Sequence, residues 1–174
     1  LTQGITVNWA AGTVQGQIGI IGTDHLFQIE GIIGTAFDDT FDATGYSASL
    51  AHAGDFSGYQ FIRAGAGNDT IIGNFNTEIE YRDATSGIVA TMTSFGTGTV
   101  TGGGIGTDSF VSVSRIIGSN FSDVFNGSNG NDTFDGATGG DDIYFGGDGL
   151  DRVEHDGTSD NFAISINMAA GIIT

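Results

Sequence analysis

The blocks GSNFSDVFN (118–126), GSNGNDTFD (127–135), GATGGDDIYF (136–145) and GGDGLDRVE (146–154) decide how this chain folds. Each opens on glycine and carries an aspartate two residues before a bulky side chain: Asp123 before Phe125, Asp132 before Phe134, Asp142 before Tyr144, Asp151 before Val153. Successive aspartates are 9, 10 and 9 residues apart, so the blocks are copies of one unit. A unit this short cannot bury its apolar residue alone and must stack on its neighbours. Its last three residues are too few for a helix. As a strand they send the central bulky residue to one face and its flanks to the other, while the glycine run before them can turn sharply.

The block at 146–154 fits the pattern GGxGxDxUx at every fixed position, U being bulky and apolar, and so does GGIGTDSFV (103–111). At these residues the chain resembles the calcium-binding nonapeptide repeat of RTX proteins, a secreted bacterial family of haemolysin-type toxins, proteases, adhesins and surface-layer proteins. The resemblance implies an all-β fold, a right-handed parallel β-roll or β-solenoid with calcium-binding glycine-rich turns. It also implies type I secretion in an unfolded state, folding in external calcium, and a place outside the cell or on its surface.

The residues carry a physical argument of their own. If each block makes half a coil, Asp132 stacks on Asp151 and Asp123 on Asp142, each pair 19 residues apart. Carboxylates about 4.8 Å apart in adjacent coils repel by roughly 3 kcal/mol at an effective dielectric near 20, so something positive is expected between them. The chain has no lysine, and its arginines are Arg63, Arg82, Arg115 and Arg152. A hard cation with about 6 to 8 oxygen ligands suits aspartates plus turn carbonyls, and a flexible all-oxygen cage suits calcium better than magnesium.

A larger duplication contains the small one. IIGTDHLFQIEGIIGTAFDDTFD (20–42) runs parallel to GIGTDSFVSVSRIIGSNFSDVFN (104–126) at an offset of 84, which matches Asp24 with Asp108, Gly34 with Gly118 and Asp39 with Asp123. Three modules are expected: residues 1–84, residues 85–152, and a third, truncated one from 153 to 174 whose start resembles 79–96. The stretch from about 43 to 60 loses the pattern and reads as an irregular coil or an insertion loop. The candidate calcium ligands of the second module are Gly106, Asp108, Asp123, Gly127, Gly130, Asp132, Gly140, Asp142, Gly147, Gly149 and Asp151. Those of the first are Gly22, Asp24, Asp39, Gly65, Gly67 and Asp69. Calcium is expected to be denser in the second module, and Asp108, which precedes a long strand, is either a ligand or part of a structural turn. Ile143 and Phe145, apolar where the alternation expects polar flanks, point to a bulge or to a covered outer face.

Four basic against 21 acidic side chains give a formal charge of −17, which argues against nucleic acid and anionic membrane surfaces as partners. No apolar run is long enough for a transmembrane helix. With no cysteine there is no disulfide, so the fold must rest on packing and metal, and the absence of proline suits unbroken ladders. His25, His52 and His155 are scattered, and no GxSxG elbow occurs, so no catalytic residue is assigned. Arg63, Arg115 and Arg152 read as charge balance and Trp9 as packing. The expected function is a noncatalytic, calcium-dependent segment of a secreted RTX-like protein serving as stalk, surface layer, filament or adhesin scaffold, with self-association or continuation into further repeats. The alternative is the accessory β-roll of a secreted hydrolase or toxin whose catalytic domain lies outside this chain.

Overall fold

The computed structural model describes residues 3–16, 22–46, 59–155, 166–167 and 172–173, and no helix occurs among them. The first eight strands are β1 (Thr6–Asn8), β2 (Thr13–Gln15), β3 (Thr23–His25), β4 (Gly31–Ile33), β5 (Thr40–Asp42), β6 (Gln60–Arg63), β7 (Thr70–Ile72) and β8 (Thr77–Glu80). The next eight are β9 (Ile88–Ser94), β10 (Thr97–Gly102), β11 (Thr107–Val111), β12 (Arg115–Ile117), β13 (Val124–Asn126), β14 (Thr133–Asp135), β15 (Ile143–Phe145) and β16 (Arg152–Glu154). A short antiparallel pair, β17 (Ile166–Asn167) and β18 (Ile172–Ile173), follows.

Two sheets hold the first sixteen strands. One has ten, in the order β15-β13-β9-β10-β11-β7-β5-β1-β2-β3, and the other six, in the order β16-β14-β12-β8-β6-β4. From β3 to β8 and again from β11 to β16 the chain alternates between the sheets, and strands one coil apart pair in parallel throughout the small sheet's β4-β6-β8 and β12-β14-β16 and in the large sheet at β5-β7 and β13-β15. The expected stacking appears in the register: Phe125 lies opposite Tyr144, and Phe134 opposite Val153.

Strand alternation dictates what lies between the sheets. Phe41, Ile71, Phe110 and Phe125 of the large sheet and Ile62, Ile79, Ile116 and Phe134 of the small one are all buried in one hydrophobic cluster. Burial of each is worth about 1.5–3 kcal/mol relative to exposure. The Phe125 and Tyr144 rings stack across the coils, 5.0 Å apart and 4° from coplanar. Trp9 packs in the same cluster and donates its indole N–H to the Ile29 carbonyl at 3.0 Å.

Pairing is not parallel throughout. β1-β2-β3 and β9-β10-β11 are antiparallel excursions inside the large sheet. In β9 the alternation runs for seven residues and buries Ile88, Ala90 and Met92, and Gly96, at φ +68°, then turns the chain back into β10. An alternating segment this long, followed by a glycine turn, makes a hairpin rather than a half-coil. Around Tyr144 there is no bulge, for β13 and β15 pair without a register shift. The extra residue of that block is taken up in the turn before it, where Ala137 and Gly140 have φ of 60° and 88°. Ile143 and Phe145 remain exposed on the outer face.

Of the irregular stretch at 43–60, residues 43–46 form a turn and 59–60 lead into β6, while 47–58 lie outside the described residues. So does most of the expected third module beyond His155. No helix among the described residues is long and apolar enough to cross a membrane.

Candidate metal-binding edge

The turns between the sheets stack along two edges, and the aspartates line up on them. Asp39, Asp69, Asp108, Asp123 and Asp132 are at most 2% exposed, so each carboxylate needs compensation for the water it has lost. Backbone N–H groups of the neighbouring coil supply part of it. The amide of Asp39 donates to Asp69 Oδ1 (2.7 Å), that of Asp69 to Asp108 Oδ1 (3.0 Å), that of Asp123 to Asp142 Oδ1 (2.9 Å) and that of Asp132 to Asp151 Oδ1 (3.1 Å). The two pairs expected 19 residues apart are thus in place, and Asp108 has a partner one coil away. The ladder continues into the hairpins, where Ile5 N–H donates to Asp39 and Ile88 N–H to Asp123. Peptide dipoles with their positive ends toward the carboxylates offset much of the repulsion between coils.

A second ladder runs beside the first through the residue before each aspartate. Asp38 accepts from Asn68 N–H (2.7 Å), Asn68 from Thr107 N–H (3.0 Å), Ser122 from Asp141 N–H (2.9 Å) and Asn131 from Leu150 N–H (2.9 Å). These positions were not among the expected functional residues. Their signal was the recurring polar residue immediately before the aspartate in DD, ND and SD.

The turns are of two chemical kinds. In GTAFDD (34–39), GSNFSD (118–123) and GSNGND (127–132) a hydroxyl residue sits four positions before the aspartate. Its N–H and hydroxyl both hold the carboxylate: Thr35 on Asp39 at 2.6 and 2.9 Å, Ser119 on Asp123 at 2.7 and 2.7 Å, Ser128 on Asp132 at 2.6 and 3.0 Å. This is local side-chain capping of a turn, and Gly127 and Gly130 are not in the positive-φ region there. In the glycine turns, Gly65, Gly67, Gly106, Gly140, Gly147 and Gly149 all have positive φ. A Cβ on Gly65 would overlap the Thr35 carbonyl, and one on Gly147 the Ser128 carbonyl. Glycine here admits the carbonyls of the next coil.

Hydroxyl turns stack on glycine turns except at one place, where the glycine turn ending at Asp69 lies on the glycine turn ending at Asp108. No serine or threonine of the turn serves either carboxylate at that contact; the Tyr81 hydroxyl lies by Asp108 instead and favours its ionised form. Asp69 Oδ2 and Asp108 Oδ2 are buried without a hydrogen-bond partner, as is the hydroxyl of Tyr81, whose ionisation burial and the nearby Asp108 both oppose. Asp132 Oδ1 is also without a partner. Burial raises Asp69 to about 8, with the backbone N–H of Asp39 opposing the rise and the Asp108 and Asp39 charges adding to it, and burial raises Asp108 to about 6 against the Asp69 N–H, the Tyr81 hydroxyl and the Asp69 side chain, all of which lower it. Asp142 is raised to about 6, again by burial first.

These shifts fix the sign of a pH effect. The folded chain holds protons on these aspartates above the range near 4 where an unfolded aspartate loses them, so their contribution is full below that range and is lost as pH rises through about 6 and then about 8. Metal-free protein should therefore show a falling urea midpoint from about pH 5 to 9. A midpoint that rises over that interval would contradict the assignment.

The donor set fits a hard cation: unpartnered buried oxygens, two carboxylates that cannot both ionise cheaply, and glycine turns rich in carbonyls. Among the described residues no three acidic, histidine or cysteine side chains cluster as a metal site, so any cation here takes most of its ligands from carbonyls or water. Asp24 and Gly22 stand apart from the stacks, exposed at the outer edge with β3.

On the outer face of the small sheet the arginines balance carboxylates. Arg63 pairs with Glu80 (3.0 Å) and Asp83 (3.2 Å), Arg82 with Glu80 (2.6 Å) and Arg152 with Glu154 (2.7 Å). Arg115 joins Glu78 (3.3 Å), Asp135 and Glu154 (3.0 Å), one carboxylate from each of β8, β14 and β16. No family model matches this chain, and no curated protein matches it.

Proposed function

We propose that this chain is a noncatalytic structural segment of a secreted protein, a right-handed parallel β-roll or β-solenoid of stacked coils that calcium completes outside the cell. The reading rests above all on the contact between the turns ending at Asp69 and Asp108. There two buried carboxylates stack with one unpartnered oxygen each and without the hydroxyl that serves Asp39, Asp123 and Asp132. Asp69 and Asp108, with carbonyls of their glycine turns, would hold the ion. Calcium bound there neutralises both carboxylates and replaces the proton that one of them otherwise keeps. Asp132 and Asp151 form the second candidate position, with Asp132 Oδ1 still available. The weight thus moves from the dense array expected in the second module to the boundary between the modules.

The stacked repeat and the charge of −17 suit a stalk, surface-layer or adhesin scaffold. Calcium titration followed by far-ultraviolet circular dichroism tests the reading. A gain of β signal, or of thermal stability, with calcium at millimolar concentration and not with magnesium is expected, and Asp132→Ala should weaken the response. Identical curves in calcium and in chelator would refute calcium dependence.

A further inference from the structure

The contact between β7–β8 and β11–β12 is a junction between the two large repeats, and both of its halves recur at sheet edges with no further strand beyond them among the described residues. In the junction Phe110 lies opposite Ile71 and Val111 opposite Ile72 in the large sheet, and Ile116 lies opposite Ile79 and Ile117 opposite Glu80 in the small one. Displaced by 84 residues, β11 and β12 become β3 and β4, which form one outer edge of the two sheets. β15 and β16 hold the corresponding places at the opposite outer edge, with Asp142 before β15 as Asp69 is before β7 and Val153-Glu154 of β16 matching Ile79-Glu80 of β8.

The residues at β3–β4 are made for a partner. Asp108 is buried and its carboxylate accepts the Asp69 N–H, whereas its counterpart Asp24, paired through its backbone with Val14, is exposed. A Cβ on Gly106 would overlap the Gly67 carbonyl of the adjoining coil. Its counterpart Gly22, also at positive φ, has nothing within 4 Å. Phe110 and Ile116 are fully buried, and their counterparts Leu26 and Ile32 only half so. Apolar side chains are left bare at both edges: Phe27 (81% exposed) and Ile33 (63%) beside β3 and in β4, Ile143 (50%) and Phe145 (58%) in β15.

We infer that the β3–β4 edge of one copy of this chain docks in parallel on the β15–β16 edge of a second copy, reproducing the internal junction between the repeats. The register follows from that junction: Leu26 opposite Tyr144, Phe27 opposite Phe145, Ile32 opposite Val153 and Ile33 opposite Glu154, with the Asp142 N–H donating to the Asp24 carboxylate. Pairing satisfies the open backbone groups of four edge strands. Because the two surfaces differ, the contact is heterologous and propagates head to tail into an open chain rather than closing as a dimer. The inference rests on the scaffold reading but not on calcium.

Two variants of this 174-residue chain test it by sedimentation velocity. Phe27→Lys with Ile33→Lys blocks one edge, and Ile143→Lys with Phe145→Lys blocks the other. All four positions are exposed, so folding should be kept. The unmodified chain should grow beyond a dimer with concentration, each variant alone should remain monomeric, and an equimolar mixture of the two should form dimers and nothing larger. A folded unmodified chain that stays monomeric at high concentration, a blocked variant that self-associates, or a mixture that stays monomeric would overturn the inference. Circular dichroism of the same samples in calcium and in chelator separates the two proposals. Folded monomers in calcium defeat the junction and leave the calcium reading standing, and calcium-independent folding with association does the reverse.

Discussion

Arg115→Met should destabilise the fold by about 3–5 kcal/mol, the cost of leaving buried carboxylates without their counter-charge. Among the described residues the guanidinium is the one cation paired with Asp135, whose side chain is fully buried, and it also meets Glu78, which is 8% exposed, and Glu154. These carboxylates sit on β8 and β14, the two neighbours of β12, and on β16 beyond β14, so the loss falls on several strand pairings at once. Methionine keeps most of the aliphatic stem, which confines the effect to charge and hydrogen bonds. For a chain of this size the change corresponds to a fall in melting temperature on the order of 10 °C. Burial already pushes the Glu78 carboxyl upward against the pull of Arg115, so the penalty should shrink in mild acid. Thermal unfolding at neutral and acid pH checks both points. An unchanged melting temperature at neutral pH would show that the ion network carries no net stability.

Asp123→Ala should cost a similar amount for a different reason. Its carboxylate, 1% exposed, accepts the Ile88 N–H at 2.8 Å and both the N–H and the hydroxyl of Ser119 at 2.7 Å. Alanine leaves these donors buried without an acceptor, at about 1–3 kcal/mol each before relaxation, so a net loss of about 3–5 kcal/mol is expected. Asp123→Asn keeps one acceptor oxygen and should lose less than half of that. Asp24→Ala, at an exposed position of the same repeat, should change the stability of the monomer by less than about 0.5 kcal/mol. Urea midpoints for the three variants check the order. Equal losses at Asp24 and Asp123 would mean that the ladder hydrogen bonds contribute little.

Much of the architecture could be read from single residues. The spacing of Asp123, Asp132, Asp142 and Asp151 placed the coils in their observed register, because a carboxylate two positions before a bulky residue marks the end of a turn and the start of a three-residue strand. The hairpins β1-β2-β3 and β9-β10-β11 were harder to read. GITVNW and GIVATMTS alternate like any strand, and only the glycines at 12 and 96, both at positive φ, distinguish a reversal from another half-coil.

The edge chemistry was legible only in part. From sequence, aspartates above aspartates call for an ion at every step, since a string of letters does not reveal where backbone N–H groups point. Once Asp39 N–H faces Asp69 and Asp123 N–H faces Asp142, and Thr35, Ser119 and Ser128 close over their own aspartates, several carboxylates are satisfied by the protein alone. The hydroxyl four positions before the aspartate is the feature that separates these turns from those at Asp69 and Asp108, and it can be read from sequence once its role is known.

Calorimetric calcium titration in buffers of different ionisation enthalpy tests the account most directly, because it counts protons as well as ions. At neutral pH the chain should bind calcium and release protons, since Asp69 must ionise to take the cation, and Asp69→Asn with Asp108→Asn should lose both the strongest site and the proton release. Calcium uptake without proton release, unchanged in the double variant, would contradict it.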